Sequence, residues 1–214
     1  MKSIMLILAL LLFPFITHAN TSAIIYSGRA FGAQIELVNP QPNTLMFSDT
    51  GELPSSGGTR HADLASISVG GTLSSVTIVA DCSAGGGVSN ASASQQNVSV
   101  FPLQPAALTA SLVTAQAHAE CGSVSGSSVV GNLVFAGNAV KVTGEPNQTI
   151  MLGFLATLII NEQIISPQDI TVNAIHLKLG TGESIILSSA HADITSCTTP
   201  INPKTWGSLK VMYR

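Results

Sequence analysis

Along this chain apolar and polar residues alternate far more often than they recur at helical spacing. The cleanest stretch is Leu108 to Cys121, LTASLVTAQAHAEC. Val113, Ala115, Ala117, Ala119 and Cys121 share one face, and Thr114, Gln116, His118 and Glu120 share the other. Side chains two apart in a strand point the same way, so this pattern predicts a half-buried strand. Alanine also favours helix, but the period here is two.

The same reading extends along the chain. Tyr26 to Val38 is a first strand, with Gly28 and Gly32 as bulge positions. Asp49 to Gly58, DTGELPSSGG, reads as a loop. Leu64 to Val69, Leu73 to Cys82 and Asn90 to Phe101 read as strands, and Val129 to Val142 holds a further pair. Thr149 to Ile165 reads as two strands about a turn at Asn161-Glu162. Ile170 to Cys197 reads as a hairpin turning at Gly180-Thr181-Gly182. No amphipathic helix competes. Roughly ten strands at short spacings predict an all-β antiparallel sandwich or barrel-like fold, with a β-solenoid as the alternative.

The N-terminus departs from this pattern. Lys2, the apolar run Ile4 to Ile16 and Thr17-His18-Ala19 form the three regions of a secretory signal peptide. The run is too short for a spanning helix, which needs about 20 apolar residues. The expected organisation is a cleaved signal over 1–19, then one all-β domain over 20–214 with a short irregular tail containing Trp206. Export to the periplasm or cell surface follows as an expectation.

Composition narrows the function classes. Only 9% of the 214 residues are charged, against a typical quarter, and the formal net charge is −3. No basic run exists, so nucleic acid is not an expected partner. Aromatics make up only 5%, so stacking platforms are few. The partners left are a second copy of the chain or a component of the cell envelope. The run Ile150 to Ile165 carries one charge, Glu162, and is the stretch most prone to association.

Several motifs in order resemble one family. They are Ser27 to Gly32 (SGRAFG), Asp49 to Gly58, Gly144 to Ile150 (GEPNQTI), Ile160 to Gln163 (INEQ) and Ile170 to Leu177 (ITVNAIHL). This set resembles the bacterial secreted domains called the choice-of-anchor P family. The resemblance implies export and brings no activity, cofactor or catalytic residue. Many members end in a surface-anchoring signal. Trp206 to Arg214 shows neither a hydrophobic tail nor a sorting motif, so that mode of attachment is not implied here.

Three His-Ala-acid triplets are candidate metal ligands: His61 with Asp63, His118 with Glu120, and His191 with Asp193. Each pair shares a strand face, and imidazole plus carboxylate suits zinc or another divalent ion. Nothing in the spacing forces the triplets together, so the favoured reading is polar residues on solvent faces, with no cofactor. Asp49-Thr50-Gly51 matches half of an aspartic-protease site, but a second copy is missing. No nucleophile elbow, phosphate loop or His-Glu-x-x-His occurs.

The three cysteines, Cys82, Cys121 and Cys197, allow three pairings. Ala80-Asp81-Cys82 and Ala119-Glu120-Cys121 are matched strand endings, which favours Cys82–Cys121. A simple meander would place these two about 9.6 Å apart, beyond disulfide reach, so the pair requires another strand order or facing sheets. The expected function is a secreted, non-catalytic β-domain with a structural or adhesive role. The alternative is a secreted metal-binding module or metal-dependent hydrolase built on the triplets.

Overall fold

The structure is a computed structural model that describes residues 23–38, 41–153 and 156–197. The signal peptide and the tail with Trp206 lie outside the described residues. Thirteen strands occur among those described: β1 (Ile25–Leu37), β2 (Asn43–Asp49), β3 (Gly58–Val69), β4 (Leu73–Gly85), β5 (Val88–Val100), β6 (Leu108–Glu120), β7 (Ser123–Gly131), β8 (Val134–Phe135), β9 (Asn138–Ala139), β10 (Gln148–Leu152), β11 (Ala156–Ser166), β12 (Asp169–Leu179) and β13 (Ser184–Thr195). They form two antiparallel sheets. The first has the order β10-β11-β12-β13-β1-β2. The second runs β3-β4-β5-β6, with β7 and the small β8-β9 hairpin both on the far edge of β6. β1 packs over β4 and β5, β13 over β5 and β6, and β12 over β6 and β7, which makes a sandwich and neither a closed barrel nor a solenoid.

Between the sheets the core is built from small residues. Ala30, Ala33, Ala80, Ala93, Ala115, Ala119, Ala190 and Ala192 are essentially inaccessible, and Ile78, Ile175, Ile185 and Leu187 are buried with them. Small facing side chains let the sheets approach closely. At Gly126 a Cβ would collide with Val172 and Ile170 across the core, so only glycine fits there.

Both sheets carry a line of register breaks across their middle. In the first sheet the flanking pairs skip Ser48, Gly32, Ser188, Ala174 and Asn161 at one level. In the second they skip Ala65 with Thr77, and Asn97 with Ser111. Ser48, Thr77, Asn97, Asn161 and Ser188 have φ near +50°. One extra residue flips which parity faces the core. Thus Ala91, Ala93 and Gln95 are buried before the break in β5, and Val98 and Val100 after it.

Polar side chains also reach across the core to backbone carbonyls of the opposite sheet. Gln95 Nε2 donates to Gly32 O at 2.9 Å, Ser188 Oγ to Val113 O at 2.9 Å, and Ser48 Oγ to Ala62 O at 2.9 Å. Gln163 Nε2 donates likewise to Gly126 O at 3.0 Å. Buried carbonyls need such partners, and this explains fully buried Gln95 and Ser188 in an otherwise apolar layer.

Among the described residues Thr77 is the one β-branched residue held at positive φ in mid-strand, at 50°, and it is exposed. A β-branched side chain is strained there, whereas asparagine tolerates it. Thr77→Asn is expected to raise the unfolding free energy by about 1 kcal/mol, read from urea denaturation of both proteins.

The structure alters several sequence expectations. Asn161-Glu162 is a register break inside β11, not a turn, because the Asn161 left-handed backbone is absorbed by the bulged partner at Ala174. β3 begins at Gly58, six residues earlier than its apolar pattern suggests, since it is an edge strand exposed along most of its length. The expected Cys82–Cys121 disulfide does not form. β4, β5 and β6 are a simple meander, so β5 lies between these cysteines, and Cys82 is level with Ala117, not with Cys121. Cys121 instead bonds Cys197, with Cα atoms 5.6 Å apart, joining the end of β6 to the end of β13. Cys82 is a buried free thiol. A disulfide fits an oxidising compartment such as the periplasm or the exterior. No helix among the described residues is long and apolar enough to cross a membrane.

Candidate functional site

The solvent face of the second sheet holds a shallow groove of about 610 Å³ that crosses β3 to β7. Two cross-strand rows make its floor. One row is Asp81, Ser92, Gln116 and Ser127, with His61 beyond the lining at its β3 end; the other is Thr59, Ser83, Asn90, His118 and Ser125. The period-two pattern that buries Ala80, Ala91, Ala93, Ala115 and Ala117 also puts these polar neighbours outside. No lysine or arginine lines the groove, and Asp81 is the one carboxylate among its lining residues.

The imidazoles at the two rows are oriented by neighbours. His118 Nδ1 lies 2.8 Å from Asn90 Oδ1. The amide oxygen only accepts, so Nδ1 carries the proton and Nε2 remains an acceptor. His61 Nδ1 lies 2.6 Å from Asp81 Oδ1, and Nε2 lies 3.4 Å from Asp63. The hydrogen bond to Asp81 raises the His61 pKa above its ordinary value.

The metal candidates stay apart. His61 and Asp63 are on edge strand β3, His118 and Glu120 are on β6 with β4 and β5 between, and His191 and Asp193 are on β13 in the other sheet, facing the opposite side of the sandwich. No cluster of three or more metal-ligating side chains occurs among the described residues. Their neighbours are local: Glu120 accepts from Ser123 Oγ, and His191 Nδ1 meets Thr171 Oγ1 at 3.0 Å and Asp169 at 3.2 Å. Asp193 faces Asp169 across the strands, and burial together with that neighbour pushes its carboxyl up.

Among the described residues Asp49 has no second carboxylate bonded to it to share a proton. Arg29 donates to both of its oxygens, at 2.9 and 2.7 Å, and holds its carboxyl below the usual range. Gly51 N also donates to Asp49 Oδ1, so Asp49-Thr50-Gly51 works as a turn that carries β2 into the following loop. Burial pushes the Cys82 thiol up, its sulfur contacts Thr50 Oγ1 at 3.4 Å, and among the described residues no histidine bonds it.

One further network went unnoticed in the sequence. On the outer face of the first sheet, Glu162 Oε2 accepts from Asn173 Nδ2 and lies 2.7 Å from His176 Nδ1, while Lys178 Nζ is 3.6 Å from Oε1. Asn173 Oδ1 in turn accepts from buried Ser189. The His176 hydrogen bond, then that of Asn173, lowers the Glu162 pKa from 4.5 to about 2. The folded state therefore binds this proton less readily than the unfolded chain. Its stabilisation is complete above pH 4.5 and is lost as pH falls toward 2. Wild type is expected to lose about 1–2 kcal/mol over that window through this group, after allowance for solvent screening. The loss should be missing in Glu162→Gln, compared by urea denaturation at each pH.

Comparison with known proteins gives no match: no protein-family model, no curated protein and no solved structure is significantly similar to this chain. The resemblance to choice-of-anchor P domains therefore rests on the quoted motifs alone.

Proposed function

We propose that this protein is an exported, non-catalytic β-sandwich with an adhesive role, and that the polar groove across β3 to β7 is its contact face. The observation that carries this reading is the groove itself: a five-strand floor of hydrogen-bonding side chains, all neutral polar groups apart from Asp81, open to solvent. Acyl transfer needs a nucleophile bonded to a base, and glycoside hydrolysis needs two flanking carboxylates. The described groove residues supply neither arrangement, but they do present a rigid array of donors and acceptors. The Cys121–Cys197 bridge supports an oxidising site of action.

The test is binding of the purified mature chain to envelope surfaces of the producing cell. Ser92 sits at the groove centre, so Ser92→Trp should abolish binding, whereas Thr171→Ala on the opposite sheet should leave it unchanged. Equal binding by both variants would overturn this reading.

A further inference from the structure

We infer that the ligand of the β3–β7 groove is a neutral glycan chain, laid across the strands and gripped by hydrogen bonds. The inference rests on the adhesive reading above and names its ligand class.

The chemistry of the floor selects against other classes. A phosphate- or sulfate-bearing polymer needs guanidinium or ammonium groups, and the groove has none. Asp81 would repel it further. An apolar helix or tail needs a greasy trench with large side chains, whereas the outward groups here are Ser, Thr, Asn, Gln, His and Asp. A peptide added as a strand would use an open sheet edge, and this groove lies on a sheet face whose backbone groups are already paired.

A sugar chain fits what remains. Each ring offers hydroxyls that both donate and accept, and the floor offers both. Asn90 has its amide nitrogen to give, His118 Nε2 and Asp81 accept, and Gln116 does both. Ser83, Ser92, Ser125 and Ser127 supply hydroxyls with either polarity. None of these serines, nor Gln116, takes part in a side-chain hydrogen bond among the described residues. The groups form a lattice with steps of about 4.8 Å between strands and about 6.7 Å along them, and the groove spans about 19 Å from β3 to β7. Because the groove is an open furrow across the sheet face and not an enclosed pocket, it suits the interior of a chain and not a terminal sugar. With no Phe, Tyr or Trp in the floor, affinity per site is modest, and strength comes from many copies on one surface.

The experiment is titration of the full mature chain, disulfide intact, with short neutral oligosaccharides of glucose, mannose and N-acetylglucosamine, followed by calorimetry. A polygalacturonate fragment serves as the acidic control. At least one neutral series should bind and the acidic one should not. Gln116→Ala and His118→Ala should each weaken binding by about tenfold, and Thr171→Ala should not. Both groove substitutions are at the solvent face, and circular dichroism will confirm that the fold is kept.

Failure of every neutral series, or binding unaffected by Gln116→Ala and His118→Ala, would overturn the glycan assignment. Preference for the acidic fragment would do so as well. If oligosaccharides fail while Ser92→Trp still abolishes envelope binding, the adhesive reading stands and the ligand is a protein. If envelope binding is itself insensitive to Ser92→Trp, both fall.

Discussion

Replacing Cys121 and Cys197 together by serine is expected to lower the unfolding free energy by about 3–4 kcal/mol. The bridge closes a loop of 76 residues of sequence separation, and chain-entropy arguments assign such a loop about 4 kcal/mol. For a domain of this size the loss corresponds to a drop of roughly 10 °C in melting temperature. The bridge ties β6 of one sheet to β13 of the other, so its removal should also loosen the sandwich at that end. Treatment of wild type with reductant should reproduce the double variant. Cys82→Ala separates the alternatives: it removes only a buried thiol, and should leave both the disulfide and the reductant sensitivity in place. Loss of reductant sensitivity in Cys82→Ala would contradict the Cys121–Cys197 pairing.

Gln95→Ala is expected to cost about 3 kcal/mol. Gln95 is fully buried, and its Nε2 satisfies Gly32 O from across the core. Alanine leaves that carbonyl unpaired, for about 1–3 kcal/mol, and leaves a cavity as well. Gln95→Met divides the two effects, because it keeps most of the volume and loses the donor. It should cost about 1–2 kcal/mol. Urea denaturation monitored by circular dichroism reads both. If methionine proved neutral, the cross-core bond would not contribute to stability, and the buried glutamine would lack a physical reason.

Much of the architecture was legible in the sequence because period-two alternation is a direct record of which face is buried. Leu108 to Cys121 shows this well: Val113, Ala115, Ala117 and Ala119 are indeed inside, and Gln116, His118 and Glu120 outside. Gly32 also lies at a register break, as a glycine inside a strand suggests. The line of breaks as a whole was not legible. A single Ser or Thr with left-handed backbone carries no distinctive pattern, so Ser48, Thr77 and Ser188 pass as ordinary strand residues. β7, Ser123–Gly131, was hidden for a related reason. Its Ser- and Gly-rich start has no apolar alternation, so the sequence predicts strand only from Val129, and its strand character comes from pairing with β6.

The site was legible only in part. His61 and His118 drew notice as metal candidates because each stands two residues from an acid. The structure puts them on one face for another reason, the meander of β3 to β6. Their groove partners Ser83, Ser92, Asn90 and Gln116 are common polar residues, and only strand register brings them into two rows. The disulfide was not legible because similar strand endings carry no information on strand order. In a meander, similar strands two apart cannot be bridged.

Carbethoxylation of histidines offers the most direct test of the contact face. His61 and His118 lie on the groove side, and His176 and His191 lie on the opposite sheet. The rate at each histidine would be measured by mass spectrometry for free protein and for protein bound to envelope surfaces. The groove assignment predicts that binding slows modification of His61 and His118 while His176 and His191 react as before. Protection of His176 and His191 with the groove histidines unchanged would place the contact on the other sheet and contradict the account.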